Sequence, residues 1–162
     1  EFEVSVQDLG PFSIAANMTY IDAELLYEVE NPSTGMFETT SVNFPYQPEW
    51  LANVNLGYEH EEWGFSANLV YNFTGAYNTI LRRTEADPNL EQQSIQSLDL
   101  ILRKTWEDER SGLAFELGAG VKNLFATDRE LVWRGGAATL DGRTHRTFAA
   151  QRTYFVEMKC SF

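Results

Sequence analysis

The sequence has a single cysteine, no long apolar run and few positive charges, and each shortage excludes a class of protein. Cys160 alone cannot form an internal disulfide, so the chain is not a disulfide-stapled scaffold. No stretch approaches the roughly 18 apolar residues that a membrane-spanning helix needs. Lys and Arg number 12 against 24 Asp and Glu, which gives a net charge of −12. Nucleic acid is therefore not a predicted partner, because phosphate binding requires clustered cations.

Residues that carry chemistry are also sparse. The two histidines, His60 and His145, lie far apart in the chain, whereas a metal site needs several ligands at suitable spacing. No Ser, His and Asp set and no pair of carboxylates is arranged as in a catalytic site. The sequence therefore predicts no enzymatic activity, no metal site and no cofactor.

Apolar residues nevertheless make up 43% of the chain, enough for a folded domain, and they alternate with polar residues in successive runs. In one such run, Phe12, Ile14, Ala16, Met18 and Tyr20 alternate with small or polar residues. Helical spacing is nowhere sustained. The alternation predicts about seven strands of about 8 to 14 residues, longer than the five or six residues of an average globular strand. Membrane-spanning strands need about 9 to 11 residues.

The connections between these strands alternate strictly between short and long. The predicted short turns are residues 8–11, 59–64 and 107–112, and the predicted long loops are residues 27–48, 75–93 and 123–151. In outer-membrane barrels the periplasmic turns are short and the extracellular loops are long. The sequence therefore predicts an all-β fold, an antiparallel up-and-down segment of a transmembrane β-barrel.

The two faces of the predicted strands differ in a way that favours a membrane barrel. The polar face carries small uncharged residues such as Asn53, Asn68 and Gly118, which suit a wet interior. Six charged residues on this face are predicted to form a ladder of cross-strand ion pairs on the inner wall, with contact to a plug or a substrate path as the alternative: Asp99, Arg103, Glu116, Lys122, Glu157 and Lys159. The apolar face carries aromatic residues near both ends, as a lipid-facing wall does. The predicted lipid-interface aromatics are Tyr58, Trp63 and Trp106 by the short turns, and Tyr71 and Phe73 toward the long loops.

The last strand ends the sequence with an aromatic residue after a run of alternating apolar residues. Such an ending resembles the C-terminal signal by which outer-membrane barrels are recognised for assembly. The residues that carry this predicted assembly signal are Tyr154, Val156, Met158, Cys160 and Phe162.

Longer stretches resemble the C-terminal barrel of a TonB-dependent outer-membrane receptor. "FSIAANMTYIDAEL" (residues 12–25) is similar to a strand of that family, and residues 45–77 resemble its Pro-x-x-Pro strand–turn–strand. "GLAFELGAGVKNLFATDRE" (residues 112–130) resembles the penultimate strand, with the Val-x-Asn-Leu-Phe step at Val121, Asn123, Leu124 and Phe125. The resemblance covers most of the chain.

The resemblance implies a bacterial outer-membrane location and energised uptake of a scarce nutrient, such as a ferric siderophore, cobalamin or an oligosaccharide. It also implies partners: outer-membrane lipid, a plug domain, the TonB system and the extracellular nutrient. The plug and the TonB-binding segment have no counterpart here, and the strand count is odd where such barrels have even numbers. We therefore interpret residues 1–162 as roughly the last third of a 22-stranded plugged barrel, whose remainder lies in a separate chain or missing segment.

Two other functions are compatible with alternating strands. A small outer-membrane barrel with a structural or adhesive role would need an eighth alternating run, which the sequence does not contain. A soluble carbohydrate-binding β-sandwich would pack its apolar faces against each other in a dry centre.

Overall fold

A computed structural model of the chain describes residues 1–84, 87–108, 112–135 and 140–161. Within these ranges the protein is built from antiparallel β-strands, and one 3-10 turn, Glu61–Trp63, is its only helical element. This confirms the predicted all-β class. The strands in chain order are β1 (Phe2–Leu9), β2 (Phe12–Tyr20), β3 (Glu24–Glu30), β4 (Phe37–Asn43), β5 (Trp50–His60), β6 (Phe65–Thr74), β7 (Tyr77–Ile80), β8 (Asn89–Gln92), β9 (Ile95–Asp108), β10 (Leu113–Lys122), β11 (Arg129–Arg134), β12 (Thr144–Phe148) and β13 (Thr153–Ser161).

Seven strands form the main sheet, in the order β1-β2-β5-β6-β9-β10-β13, and every neighbouring pair is antiparallel. They are the seven strands that the alternation predicts. Their order in the sheet follows their order in the chain, which is the up-and-down arrangement. Among the described residues the outer strands β1 and β13 do not pair with each other, so the sheet is not closed.

Glycine forms part of each of the three short turns, which lie together at one end of the main sheet, the short-turn end. Gly10, Gly64 and Gly112 have φ values of 66°, 55° and 69°. Such values favour glycine because it has no Cβ. In the second turn the imidazole of His60 accepts a hydrogen bond from the Trp63 N–H at 3.4 Å. Residues 109–111 of the third predicted turn lie outside the described ranges.

The three long connections, at the opposite or long-connection end, contain strands where the sequence predicts loops. Strands β3 and β4 form a hairpin within the first connection. The second and third connections contribute to a four-stranded sheet in the order β12-β11-β8-β7. The prediction of loops over residues 27–48, 75–93 and 123–151 is therefore wrong in part. Pairing of these segments satisfies backbone groups that would otherwise depend on water.

The register of the main sheet aligns the alternating residues into rows. One row crosses all seven strands and consists of Val6, Ile14, Leu56, Leu69, Leu100, Val121 and Tyr154. We call the face that carries this row the apolar face. A row on the opposite, polar face runs through Glu3, Asn17, Asn53, Asn72 and Ser97. The apolar and polar residues of the strands are therefore separated onto two sides of one sheet.

The main sheet is a single layer. The strands with extensive mutual contacts are all hydrogen-bonded neighbours. The buried apolar side chains of the described residues are Val29, Leu90 and Val132, which belong to strands of the long connections. The accessible surface is 11160 Å², against about 8,200 Å² for a compact protein of 18.5 kDa. The described residues therefore place no second protein layer on the apolar face.

Candidate functional site

Large side chains of the apolar face are exposed even in the middle of the main sheet. Leu56, Leu102 and Leu117 are 41%, 38% and 41% exposed, although each lies on a strand with neighbours on both sides. On the outer strand β13, Val156 and Met158 are each 75% exposed. A continuous apolar surface of this extent marks a contact with lipid or with another protein. The apolar face is therefore a candidate functional surface.

Aromatic rings gather on this face at the short-turn end. Tyr58 lies between Phe12 and Phe65, with ring centroids 5.1 and 6.2 Å away. These three residues come from β2, β5 and β6, which are adjacent in the main sheet. Rings at such distances attract one another through their edges and faces. They form an aromatic border at this end of the apolar face.

The border continues through two tryptophans held near a lysine. Trp63 stacks on His60 at a centroid distance of 4.4 Å. Lys104 donates a hydrogen bond to the carbonyl oxygen of Trp63, and its ammonium lies 5.7 Å from the ring centroid of Trp106. The charge of Lys104 is thereby held at the aromatic border of the face, as expected of a lysine that extends its charge to a polar boundary.

A second aromatic border lies at the long-connection end. The ring centroids of Tyr20 and Trp50 lie 4.6 Å apart, and those of Tyr71 and Phe125 lie 6.4 Å apart in an edge-on arrangement. Trp50 and Tyr58 lie near opposite ends of β5 and are separated by about 26 Å along the strand, at about 3.3 Å per residue. The apolar face is thus bordered by rings on both sides.

The five aromatic residues predicted for a lipid interface lie at the predicted ends of the sheet. Tyr58 and Trp106 are on strands at the short-turn end, and Trp63 is in the 3-10 turn rather than on a strand. Tyr71 and Phe73 lie in the half of β6 toward the long-connection end. Contact of these residues with lipid remains a prediction.

The predicted assembly signal lies on an outer strand. Tyr154, Val156, Met158 and Cys160 are exposed on the apolar face of β13, whose pairing to β10 is regular from Thr153 to Ser161. Phe162 lies outside the described residues. The structure brings the four described members into one exposed row, and their role in assembly remains a prediction.

Ion pairs cross the polar face between three neighbouring strands. Arg103 on β9 lies 3.6 Å from Glu116 on β10 and 3.5 Å from Glu157 on β13, and Lys159 lies 3.0 Å from Glu116. Gly118 is in register with both Arg103 and Glu157, so those side chains meet above a residue without a side chain. The predicted cross-strand ion pairs are confirmed for these four charged residues.

The other two predicted members, Asp99 and Lys122, are not part of that network. The carboxylate of Asp99 accepts a hydrogen bond from the Asn123 N–H at 2.8 Å. The ammonium of Lys122 lies 5.8 Å from the ring centroid of Phe155. Asn123 has a φ of 54°, a conformation that asparagine tolerates better than most residues. Asp99 therefore holds the turn that follows β10, and Lys122 forms no ion pair with a carboxylate of the described residues.

Asp99 and Lys122 line a groove at the long-connection end of the polar face. Its volume is about 480 Å³, within the range of small-molecule sites. The third connection contributes Arg129 and Phe148, which are Cα partners in the β11–β12 pairing. Sequence reasoning missed these two residues because it predicted the third connection as a loop. Residues 144–148, Thr-His-Arg-Thr-Phe, contain no alternation of apolar and polar side chains, so the sequence carries no periodic signal for strand β12.

Neither a bound-ion site nor a known relative identifies the function. Within the described ranges, no group of three or more His, Cys, Asp and Glu residues is placed to hold a metal ion. The same ranges contain no helix of the length and apolarity required to cross a membrane. No family model, no curated protein and no solved structure matches the chain. A functional proposal must therefore depend on the two faces of the sheet and on the sequence resemblance.

Proposed function

We propose that the chain is part of the wall of a TonB-dependent receptor, a transport barrel of the bacterial outer membrane. The observation that carries the proposal is the apolar row that crosses all seven strands, against which the described residues place no second layer. Exposure of this row to water is unfavourable, since fully burying one Leu or Phe side chain gains about 1.5–3 kcal/mol. Hydrocarbon tails of lipid would cover the whole row at once.

The aromatic borders agree with the dimensions of a membrane wall. Outer-membrane barrels carry an apolar band about 25 Å tall between two girdles of aromatic residues. The borders at Trp50 and Tyr58 are about 26 Å apart along β5. Strands tilted by about 40° reduce this separation to about 20 Å along the membrane normal, somewhat less than the height of that band. Trp63, beyond the end of β5, extends the short-turn border further outward. We assign the two borders to the two lipid headgroup regions.

The polar face has the chemistry of a hydrated barrel interior. Asn53 donates to the side-chain oxygen of Asn17 at 2.8 Å, and Asn72 donates to Ser97 at 3.4 Å. Further toward β13, Arg103 and Lys159 are neutralised by neighbouring glutamates. Polar side chains that satisfy one another across strands are typical of a lumen wall, because the lumen of such barrels is polar.

In this proposal the short-turn end faces the periplasm and the long connections face outward. The length difference between the connections supports that orientation. The long connections would capture the nutrient, which the resemblance places among ferric siderophores, cobalamin and oligosaccharides. The apolar row of β13, with Phe162, would serve barrel assembly at the periplasmic edge.

The proposal includes partners that complete the barrel. Strands β1 and β13 each have one unpaired edge among the described residues, and an exposed edge is a template for further pairing. We assign those edges to the remaining strands of a larger barrel. The resemblance implies a plug inside that barrel and the TonB system that pulls on it. Residues 1–162 would therefore supply wall and outer connections, with energy coupling located elsewhere.

The two alternative functions lack a specific supporting observation. A carbohydrate-binding sandwich requires the apolar face to be covered by a second sheet, whereas Val156 and Met158 are each 75% exposed. A small closed barrel requires β1 to pair with β13, and the described strands do not pair in that way. Neither arrangement explains the aromatic borders at both ends of an exposed apolar face.

Uptake by living cells tests the proposed function. Cells that carry the protein are compared with cells that lack its gene for uptake of three labelled probes: a ferric siderophore, cobalamin and a maltooligosaccharide. Uptake of at least one probe should be lost on deletion and restored by a plasmid copy. It should also stop when an uncoupler dissipates the proton gradient, because TonB-dependent transport draws on that gradient.

Two complementing variants provide the matched control. A Met158→Asp copy, altered on the apolar face of β13, should fail to restore uptake, while Glu157→Gln on the polar face of the same strand should restore it. Equal uptake of all three probes with and without the gene would contradict the transport proposal. Uptake that survives the uncoupler would contradict its energised mechanism.

A further inference from the structure

We propose that the groove between the polar face and the β11–β12 hairpin binds a small anionic solute through Lys122 and Arg129. The binding itself is a property of the groove. The role of the solute as transported cargo rests on the proposed function, and the inference deepens that function by naming the charge class of the cargo.

The two cations of the groove have no carboxylate partner among the described residues. Three of the 11 Lys and Arg residues that the structure describes form an ion pair with a described carboxylate: Arg103, Arg134 and Lys159, at distances of 3.0 to 3.6 Å. The chain carries 24 acidic residues against 12 Lys and Arg, so carboxylates are abundant. Lys122 and Arg129 are among the cations without such a partner in the described part of the chain, and both line one cavity.

Two carboxylates accept hydrogen bonds from backbone N–H groups of residues that line the groove. Asp99 accepts from the Asn123 N–H at 2.8 Å, and Asp128 accepts from the Ala150 N–H at 2.9 Å. Both bonds fix the chain segments that shape the groove. Of these two carboxylates only Asp99 lines the cavity, so its lining carries two cations against one anion. The groove is locally positive on a chain whose net charge is −12.

An aromatic ring holds one of the two groove cations in place. Lys122 lies 5.8 Å from the Phe155 ring centroid, which keeps its ammonium against the sheet. A cation over a ring is attracted by the negative face of the ring. Cations positioned before binding lose less entropy when a ligand arrives.

The size and the remaining lining of the groove favour a compact solute over a macromolecule. The cavity of about 480 Å³ accepts a molecule of metabolite size. Asn123 and Gln151 add neutral hydrogen-bonding groups. Amides alone would suit a neutral sugar equally well. The two cations favour an anionic ligand over a neutral sugar, because charge-assisted hydrogen bonds are about twice as strong as neutral ones.

Calorimetric titration of the purified full chain in detergent micelles tests the inference. Citrate and phosphate are the anionic probes, one offering carboxylates and the other phosphate oxygens, and maltose is the neutral probe. Citrate or phosphate should bind at low salt, and binding should weaken as NaCl is raised because salt screens the attraction. The double variant Lys122→Gln/Arg129→Gln should weaken anion binding by about tenfold or more. Arg143→Gln, in the same connection but outside the groove lining, should leave it unchanged.

Each outcome decides the inference. Binding of maltose without either anion overturns it, as does absence of binding by both anions, or anion binding that the double variant or added salt leaves unchanged. If the double variant fails to fold, the charge-preserving Lys122→Arg/Arg129→Lys protein takes its place. That protein should still bind the anion, and its affinity should fall as salt is raised. If the protein folds but does not bind the anion, the inference is overturned. The titration uses purified protein, so anion binding without cellular uptake would count against the transport function alone.

Discussion

At the residue scale, two glycines on β10 let larger side chains of β13 lie across the polar face. A Cβ on Gly118 would lie 2.6 Å from Cγ of Glu157, which is the flexible part of a glutamate. A Cβ on Gly120 would lie 2.6 Å from the ring of Phe155 and 2.7 Å from the carbonyl oxygen of Leu100. The glutamate can move aside, whereas the Leu100 oxygen belongs to the backbone of the neighbouring strand.

We therefore expect Gly120→Ala to cost more stability than Gly118→Ala. The substitution at Gly120 should lower the free energy of unfolding by about 1–3 kcal/mol, as overpacking does in a confined site. Urea unfolding of the protein in lipid vesicles, followed by tryptophan fluorescence, measures both variants. Equal losses of unfolding free energy for the two variants would contradict this expectation and would mean that the Leu100 backbone moves away from the added Cβ.

At the scale of the element, each strand of the main sheet has two faces with different surroundings. Leu69 and Asn68 are consecutive residues of β6. Leu69 belongs to the apolar row and pairs with Leu56 and Leu100, whereas Asn68 pairs with Gly57 and Ile101 on the polar face. The pair therefore offers a matched comparison of the two faces at the same height in the sheet.

We expect Leu69→Arg to destabilise the protein strongly and Asn68→Arg to have little effect. A charge on the lipid side near the middle of the bilayer costs about 2–4 kcal/mol, while changes on the lumen side are tolerated. The same vesicle-based urea unfolding gives both values. A similar cost at the two positions would be incompatible with a lipid-facing apolar side.

The short strands of the long connections show where sequence patterns lose predictive power. Leu25, Tyr27 and Val29 alternate with other residues over only seven positions of β3. Proline, glycine and threonine follow closely and indicate a loop. Val29 is 1% exposed, and the next residue, Glu30, donates a backbone hydrogen bond to the carbonyl oxygen of Arg83 in the second connection. The sequence prediction followed the local composition rather than the short alternation. Tertiary contacts, however, decide whether so short a segment forms a strand.

At the scale of the whole molecule, the four tryptophans allow a test of the proposed placement in a bilayer. Trp50 lies at the long-connection border of the apolar face, and Trp63 and Trp106 lie at the short-turn border. Trp133 lies on β11 in the four-stranded sheet, where it meets the ring of His145 at 4.8 Å. The first three should reach lipid in the proposed membrane wall, and Trp133 should not.

Quenching by brominated lipid tests this placement. Single-tryptophan proteins, with the other three tryptophans changed to Phe, are reconstituted in vesicles that contain the brominated lipid. Emission of Trp50 and Trp106 should be quenched strongly, because bromine quenches only rings close to it, and emission of Trp133 should be nearly unchanged. Strong quenching of Trp133, or no quenching of Trp106, would contradict the proposed placement in the bilayer.

Candidate residues from the sequence were most reliable where they depended on alternation alone. The apolar row, the aromatic borders and the ion pairs of Arg103 with Glu116 and Glu157 all follow from knowing which residues share a face. The anion groove does not, because Lys122 and Arg129 come from different sheets. Their proximity depends on the turn held by Asp99 and Asn123, which no local pattern predicts.

The amino-acid sequence by itself determined the seven long strands, the two faces of each strand and the alternation of short and long connections. These features follow from the two-residue repeat of a strand and from glycine in tight turns, both of which are local. Only the tertiary structure decided the register that joins the apolar row across seven strands, the pairing of the long connections and the groove between them. Those features depend on hydrogen bonds and contacts between residues far apart in the chain, whose free energy no single segment contains.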